Sequence, residues 1–484
     1  MNLPQPRFRL GLCWADDSVS AALLDPDDEV LAATGTTAPA PDSSWHTVVA
    51  GLTGALLEQP GARGIVPGDV DRVLVSASAV AGFAGWPDGI WPPGIGGVAV
   101  LRLGAATTAV PPLGAWPPPL RDRIAVDTAC VAGGSMLDGE EFEPLDRAAV
   151  SAFADRIAGR AAAVAVTGVF AAVRPGHELE AAALLHRRLG DAMPVVTSHE
   201  FGGLGLLDRE NATVLQAALI HRARAQGSAL QAALADAGFG DAEVFVGCHD
   251  GTVAALDHAV THPLPLHGGV NAATAAGAGR LAGVPDALVL LSDVDGRQRA
   301  VCTLADGMPR LDIGPTLIAG IPTQLRVPAL VSTANTTLDE ALDRAKPGPD
   351  DLPVLLAGAG ATALAARLPA RIPGVSTVRR PPHAEAAAAV GVACAAVRGR
   401  AYRIVAARRP DADGVREEAR AAARTAAVLA GADPGGVRVT AVRETPLPYL
   451  SEPAMTLNVV AEGPPRPGLR EPSPRRVVAS RARR

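Results

Sequence analysis

Lysine is almost missing from this chain: of 44 Lys and Arg residues, Lys346 is the one lysine. A P-loop lysine or a Schiff-base lysine could only be that residue. The stretch "DEALDRAKPG" puts it at the end of a helix before proline, where a cation caps the helix C-terminus. Aromatics make up 3% of the residues although hydrophobics make up 48%, so the core must be built from Ala, Val and Leu. The 5 cysteines, Cys13, Cys130, Cys248, Cys302 and Cys394, are scattered, odd in number and form no CxxC. That excludes a disulfide framework and points to reduced thiols and a cytoplasmic location. No apolar run reaches the roughly 18 residues of a membrane span. "AAAVAVTGVFAAV" (161–173) is too short and reads as a buried strand, and "MNLPQPRFRL" has no apolar core of a leader. The net charge of −6 does not advertise a nucleic-acid partner.

What is present is α/β patterning over 484 residues, enough for two to four structural units. Residues 8–35 read as a hairpin with its turn at Ala15-Asp16-Asp17. A helix is expected over 42–59, capped by Asp42 or Ser43, then a buried strand over 70–80 and a Gly/Pro-rich loop over 85–97. Strands and helices then alternate, which predicts mostly parallel central strands. Residues 286–311 read as a second hairpin, turning at Asp293-Val294-Asp295-Gly296. It echoes the first: apolar strand, acidic turn, strand. Two halves that each open on such a hairpin predict a duplicated architecture. The tail 463–484, Pro-rich and with seven arginines, lacks periodicity and is expected to be disordered.

Three segments carry a resemblance: "GGSMLDGEEFEPLD" (133–146), "AVTGVFAAVRPGHELEAAALL" (165–185) and "VVTSHEFGGLGLLDRENATVLQAAL" (195–219). With "PVLLAGAGA" and "PPHAEAAAAVGVA", they resemble the hydantoinase A/oxoprolinase family over roughly residues 8–460. The resemblance implies duplicated actin-like, ribonuclease H-like domains with mixed sheets flanked by helices. It implies an N-terminal domain over 1–165 and a core domain over 166–462. It also implies a hydrolase that opens cyclic amides such as hydantoin or 5-oxoproline with ATP and a divalent metal, often beside a B-type subunit. In that family each hairpin carries a pattern like D-x-G-G-T-x-x-D. Here the first falls on Cys13, Ala15, Asp16, Asp17 and Ser20, and the second on Leu291, Asp293 and Val294. The Ser-Gly-Pro segment falls on Gly269-Val270-Asn271, and Gly-Gly-His reads Gly133-Gly134-Ser135. Both phosphate hairpins are degenerate. Two like charges 4 Å apart repel by roughly 1 kcal/mol in water and about 4 kcal/mol at an effective dielectric near 20. The acidic turns therefore bind a cation or nothing, and ATP is a doubtful ligand. The alternative to an active hydrolase is a catalytically inactive binding or scaffold subunit that partners a B-type subunit.

Several residues remain as site candidates, each with a plain structural alternative. His199 and Glu200 follow a strand, where α/β proteins place ligands; they can act as base or metal ligand with Glu as partner, or fix the Gly-rich loop. Asp208, Glu210 and Asn211 lead into a helix as caps or dipole partners. Asp250, at a strand end, is a metal ligand or a turn residue. Gly358 and Gly360 lie where such ATPases pack glycine against adenosine, or simply make a strand-to-helix turn. His383 and Glu385 open the next helix. His258 and His262 have the i,i+4 spacing of zinc ligands, but no glutamate stands between them and Pro263 ends any helix.

Overall fold

The computed structural model describes residues 8–40, 43–78, 95–104, 109–137, 139–369, 371–406, 412–447 and 454–468. The first hairpin forms as its alternation dictates: Phe8–Trp14 pairs antiparallel with Ser18–Leu24, and the Ala15 N–H donates to Ser18 O at 2.8 Å to close the turn. Val70–Ala77 adds parallel to Phe8–Trp14, and Glu243–Gly247 parallel to that. The resulting sheet has 9 strands, completed by Val30–Thr37 at one edge and by Val253–Ala255, Val397–Ala406, Ala454–Gly463 and Arg438–Leu447 at the other. Trp14 and Trp45 meet edge to face with centroids 5.0 Å apart, an aromatic contact in a mostly aliphatic core.

The second hairpin repeats this plan. Ala287–Ser292 pairs antiparallel with Gln298–Ala305, Leu352–Ala357 adds parallel to Ala287–Ser292, and Val375–Arg379 parallel to Leu352–Ala357. The duplication read from two acidic turns is thus a duplication of topology. Helices Gly269–Ala282 and Ala387–Ala393 cross between the two sheets through a reciprocal glycine contact. A Cβ on Gly277 would lie 1.8 Å from Ala387 O, and one on Gly391 would lie 1.9 Å from Ala273 O. Only glycine lets the two backbones approach so closely.

A third sheet is wholly parallel, in the order Ala125–Val131, Val98–Leu103, Ala163–Gly168, Val195–Thr197. Helices Arg147–Ile157 and Gly176–Leu189 pack on it around Phe153, Leu185 and Val164. The 31-residue helix Leu206–Asp236 runs from this sheet into the main core. The chain is therefore α/β with mixed sheets flanked by helices.

Several sequence expectations are revised. The boundary expected at 165 falls inside the strand Ala163–Gly168, and the nine-stranded sheet takes strands from both 8–77 and 397–463, so its strands are not contiguous in sequence. The first helix spans Trp45–Leu57 and is capped by Ser44, one residue beyond the expected Ser43; Asp42 lies outside the described residues. Most of the expected loop 85–97 also lies outside them. Residues 463–468, the start of the tail expected to be disordered, are ordered: Ala432 pairs with Pro465, and Arg466 binds Glu243 with Nε at 2.8 Å. Residues 469–484 lie outside the described part. Lys346 is the C-cap of helix Leu338–Ala345, as expected. Among the described residues no helix is long and apolar enough to cross a membrane.

Candidate functional site

The two hairpin turns face one another across a cleft. A cavity of about 190 Å³ lies there, lined by Ala15, Asp16, Ser78, Asn271 and Arg299 among others. Gly358, Glu385 and Arg299 line its continuation. The turns are not separate, however. Asp17 Oδ2 accepts the backbone N–H of Val294 at 3.1 Å, and its Oδ1 accepts the Ser18 hydroxyl at 3.1 Å. In the second turn Asp293 Oδ1 accepts the Arg297 N–H at 2.7 Å. The acidic turns, expected to hold a cation or nothing, are engaged within the protein. Their carboxylates serve as internal anions and take backbone donors that a phosphate would need. Burial, followed by the charges of Asp17 and Asp16, pushes the Cys13 thiol up to about 12, so it stays protonated where the family pattern has an aspartate.

Gly358 lines this cleft and Gly360 packs beside it on the second turn, which already accounts for both. A Cβ on Gly358 would meet Ser292 O at 2.4 Å, and one on Gly360 would meet Asp293 O at 2.3 Å. Glu385 accepts the Thr362 hydroxyl and sits 3.5 Å from Arg380, adding another carboxylate to the cleft. His383 adopts φ 58° before the short turn Ala384–Ala386, and its side chain caps nothing.

A second constellation lies at the carboxyl end of the four-stranded parallel sheet. Glu178, in the first turn of Gly176–Leu189, is fully buried and touches four groups. Its Oε1 accepts the Gly168 N–H and the Ser198 hydroxyl, both at 2.6 Å. Its Oε2 accepts the His199 N–H at 2.9 Å and lies 2.8 Å from His199 Nδ1. The carboxylate partner of His199 is therefore Glu178 and not its neighbour Glu200. Adjacent residues in a short helical turn point apart, whereas the helix N-terminus aims Glu178 back at the strand ends. Sequence reasoning missed Glu178 because a first-turn glutamate reads as an ordinary dipole partner. Arg209, also buried, ties the same loop: its guanidinium donates to Gly168 O at 2.7 Å and to Gly203 O and Leu204 O at 3.0 Å.

Glu200 instead meets His262 at 3.4 Å and accepts the Thr197 hydroxyl at 3.1 Å. Burial would push His262 down, but the hydrogen bond and charge of Glu200 outweigh it and hold His262 above its ordinary value. His258 stacks on His262 with centroids 4.2 Å apart, and burial and that neighbour lower it to about 4. The pair is a stack and not a zinc clamp.

Asp250, Glu210 and Asn211 are each engaged by partners within the protein. Asp250 has no lone pair directed at a metal: Oδ1 takes the Thr252 N–H and hydroxyl, and Oδ2 takes Arg398 at 2.6 Å and Arg400 at 2.8 Å. Glu210 forms a fully buried bidentate pair with Arg102 at 2.7 and 2.8 Å. Asn211 accepts the Trp116 indole N–H at 2.6 Å and donates to Pro322 O at 2.9 Å. None of them caps the long helix, which starts at Leu206 after Gly205, so Asp208 sits inside its first turn. Among the described residues, no group of three or more His, Cys, Asp or Glu could hold a metal ion.

No family model matches this sequence, and no curated protein matches it. Solved structures do. Nucleotide-free acetone carboxylase, an enzyme of ATP-dependent acetone carboxylation, superposes with a TM-score of 0.61 at 12% identity, covering 98% of this chain and 90% of that one. ATP-dependent caprolactamase from Pseudomonas jessenii gives a TM-score of 0.64 at 15% identity, again over 98% and 90%. At such identities the likeness is one of fold, and it extends over nearly the whole chain: this protein has the architecture of those two ATP-dependent enzymes.

Proposed function

We propose that this chain is a hydantoinase A-like protein whose two-hairpin cleft does not grip a triphosphate, and that it serves as a binding or scaffold subunit beside a B-type hydantoinase subunit. The observation that carries this reading is the Asp17–Val294 contact, in which a carboxylate of the first turn already occupies a backbone donor of the second. Asp16, Asp17 and Glu385 line the cleft together with Arg299. A triphosphate would have to displace one carboxylate and lie against the others, each at a cost of about 1–4 kcal/mol per close pair. A metal bound through Asp250 does not fit either, since two arginines hold that carboxylate. Calorimetric titration with ATP, alone and with Mg²⁺ or Mn²⁺, tests the reading. No heat of binding is expected up to millimolar nucleotide, and micromolar affinity would sink it.

A second reading keeps hydrolysis of a cyclic amide, and the paired His199 and Glu178 favour it. It requires turnover of hydantoin or 5-oxoproline, assayed with and without nucleotide, metal and a B-type subunit. A complete lack of turnover under all these conditions removes it.

A further inference from the structure

The hydrogen bonds around Glu178 have a direction, and that direction reaches His199. Arg209 Nε can only donate, and it lies 3.3 Å from Ser198 Oγ, which therefore accepts from it. Ser198 then spends its own proton on Glu178 Oε1, beside the Gly168 N–H. The His199 N–H occupies Oε2. Every other neighbour of Glu178 is a donor, so the buried group is satisfied as a carboxylate, which is acceptor-only. The remaining partner, His199 Nδ1, must then donate.

We propose that Glu178 is a positioning residue that locks His199 in the Nδ1–H tautomer and so presents a bare Nε2 lone pair as a proton-accepting site for a ligand bearing an acidic N–H or O–H. His199 is 22% exposed at its side chain while Glu178 is at 0%, so the ring has a buried edge and an open one. Among the described residues no group hydrogen-bonds Nε2, whereas Nδ1 is held. A carboxylate behind the imidazole and an unoccupied nitrogen in front is the arrangement a general base needs, because the hydrogen bond made by one ring nitrogen sets what the other can do. The site stands at the carboxyl ends of parallel strands, where α/β folds place ligands. It is separate from the two-hairpin cleft and does not depend on whether that cleft binds nucleotide.

The test is long-range ¹H–¹⁵N NMR of the full chain with ¹⁵N-labelled histidine, using His199→Gln to assign the resonance. As a neutral imidazole, His199 is expected in a single Nδ1–H form. Ser198→Ala should retain that form, because Oε2 keeps its carboxylate character. Glu178→Gln replaces one end of the carboxylate by an NH₂ donor and should lower the ratio of Nδ1–H to Nε2–H by roughly tenfold or more, about the worth of one charge-assisted hydrogen bond. An Nε2–H form, or a free-histidine mixture, in the wild-type spectrum overturns the proposal even if the Gln variant does not fold. A folded Glu178→Gln protein with an unchanged tautomer ratio overturns it as well, since that is the result for a glutamate that only braces the loop backbone.

Discussion

Asp17 and Val294, 277 residues apart, are joined by a hydrogen bond of 3.1 Å that ties the two hairpin turns together. In a fold whose halves face one another across a cleft, this bond makes the turns each other's ligand. The anion that meets the second turn is part of the protein.

Removing that anion has a cost and a visible consequence. The contact is partly buried and charge-assisted, so Asp17→Ala is expected to destabilise the protein by about 1 kcal/mol in urea unfolding. It also frees the Val294 N–H, and sulfate or inorganic phosphate should then raise the melting temperature of the variant but not of the wild type. No difference in stability and no anion effect would mean that the turns are held by something else.

The Arg102–Glu210 pair gives a sharper prediction, because both side chains are 1% exposed. Glu210→Ala leaves a buried guanidinium without its counter-ion and should cost about 3–5 kcal/mol. Replacing both partners with apolar residues of similar volume should cost far less. Denaturant midpoints of the single and double variants decide the point, and additive losses would refute it.

Asp250 links stability to acid. Burial alone would raise its pKa; the charges of His249, Arg400 and Arg398 and the Thr252 bond outweigh that and hold it well below the usual carboxylate range. His249 is pushed down to about 4, first by burial, so near neutral pH the arginines carry the effect. A lowered pKa contributes stability that is present above the unfolded value, about 3.9, and lost as pH falls through the folded one. The melting temperature of the wild type should therefore drop steeply below about pH 4, and Asp250→Asn, already destabilised, should drop less steeply. Parallel slopes would show that Asp250 is not the linked group.

Glu200 and His262 act in the opposite direction. His262 is raised in the folded protein, so its contribution is complete below the unfolded histidine value of about 6.5 and is lost as pH rises through the folded value. The glutamate side chain is 42% exposed, so the effect is a screened one of ~0.5 kcal/mol. Urea midpoints of wild type and Glu200→Gln should differ at pH 6 and converge at pH 8.5. A difference that persists at the higher pH would contradict this.

Gly277 is the most restrictive backbone position at the helix crossing. Gly277→Ala places a methyl 1.8 Å from the Ala387 carbonyl oxygen and should abolish soluble, cooperatively folding protein. Gly51→Ala, whose Cβ meets nothing within 4 Å in the helix Trp45–Leu57, should be neutral or stabilising by up to about 1 kcal/mol. Equal melting temperatures for the two variants would mean that the helices can separate without loss.

Much of the fold was legible because hairpins and helices are written in local periodicity. Both hairpins, the acidic turns between their strands and the first helix, expected over 42–59 and found at Trp45–Leu57, follow from spacing within short stretches of sequence. The site was only half legible. His199 stood out at the end of a strand, yet its carboxylate lies in a different helix 21 residues earlier. Asp250 could be read as a metal ligand or a turn residue, because the arginines that neutralise it are about 150 residues away, on the strand Val397–Ala406. A carboxylate looks available in a sequence until its counter-charges are found.

By itself the sequence determined the element types, the aliphatic core and the replacement of small, anion-accepting turn residues by acidic or bulky ones, since each depends on side-chain chemistry and short-range spacing. Only the tertiary structure decided which donor each acid would meet: Val294 for Asp17, Arg102 for Glu210, His199 for Glu178. Hydrogen bonds and ion pairs are made over about 3 Å of space. Separation along the chain does not enter, and only the packing of sheets and helices brings such partners together.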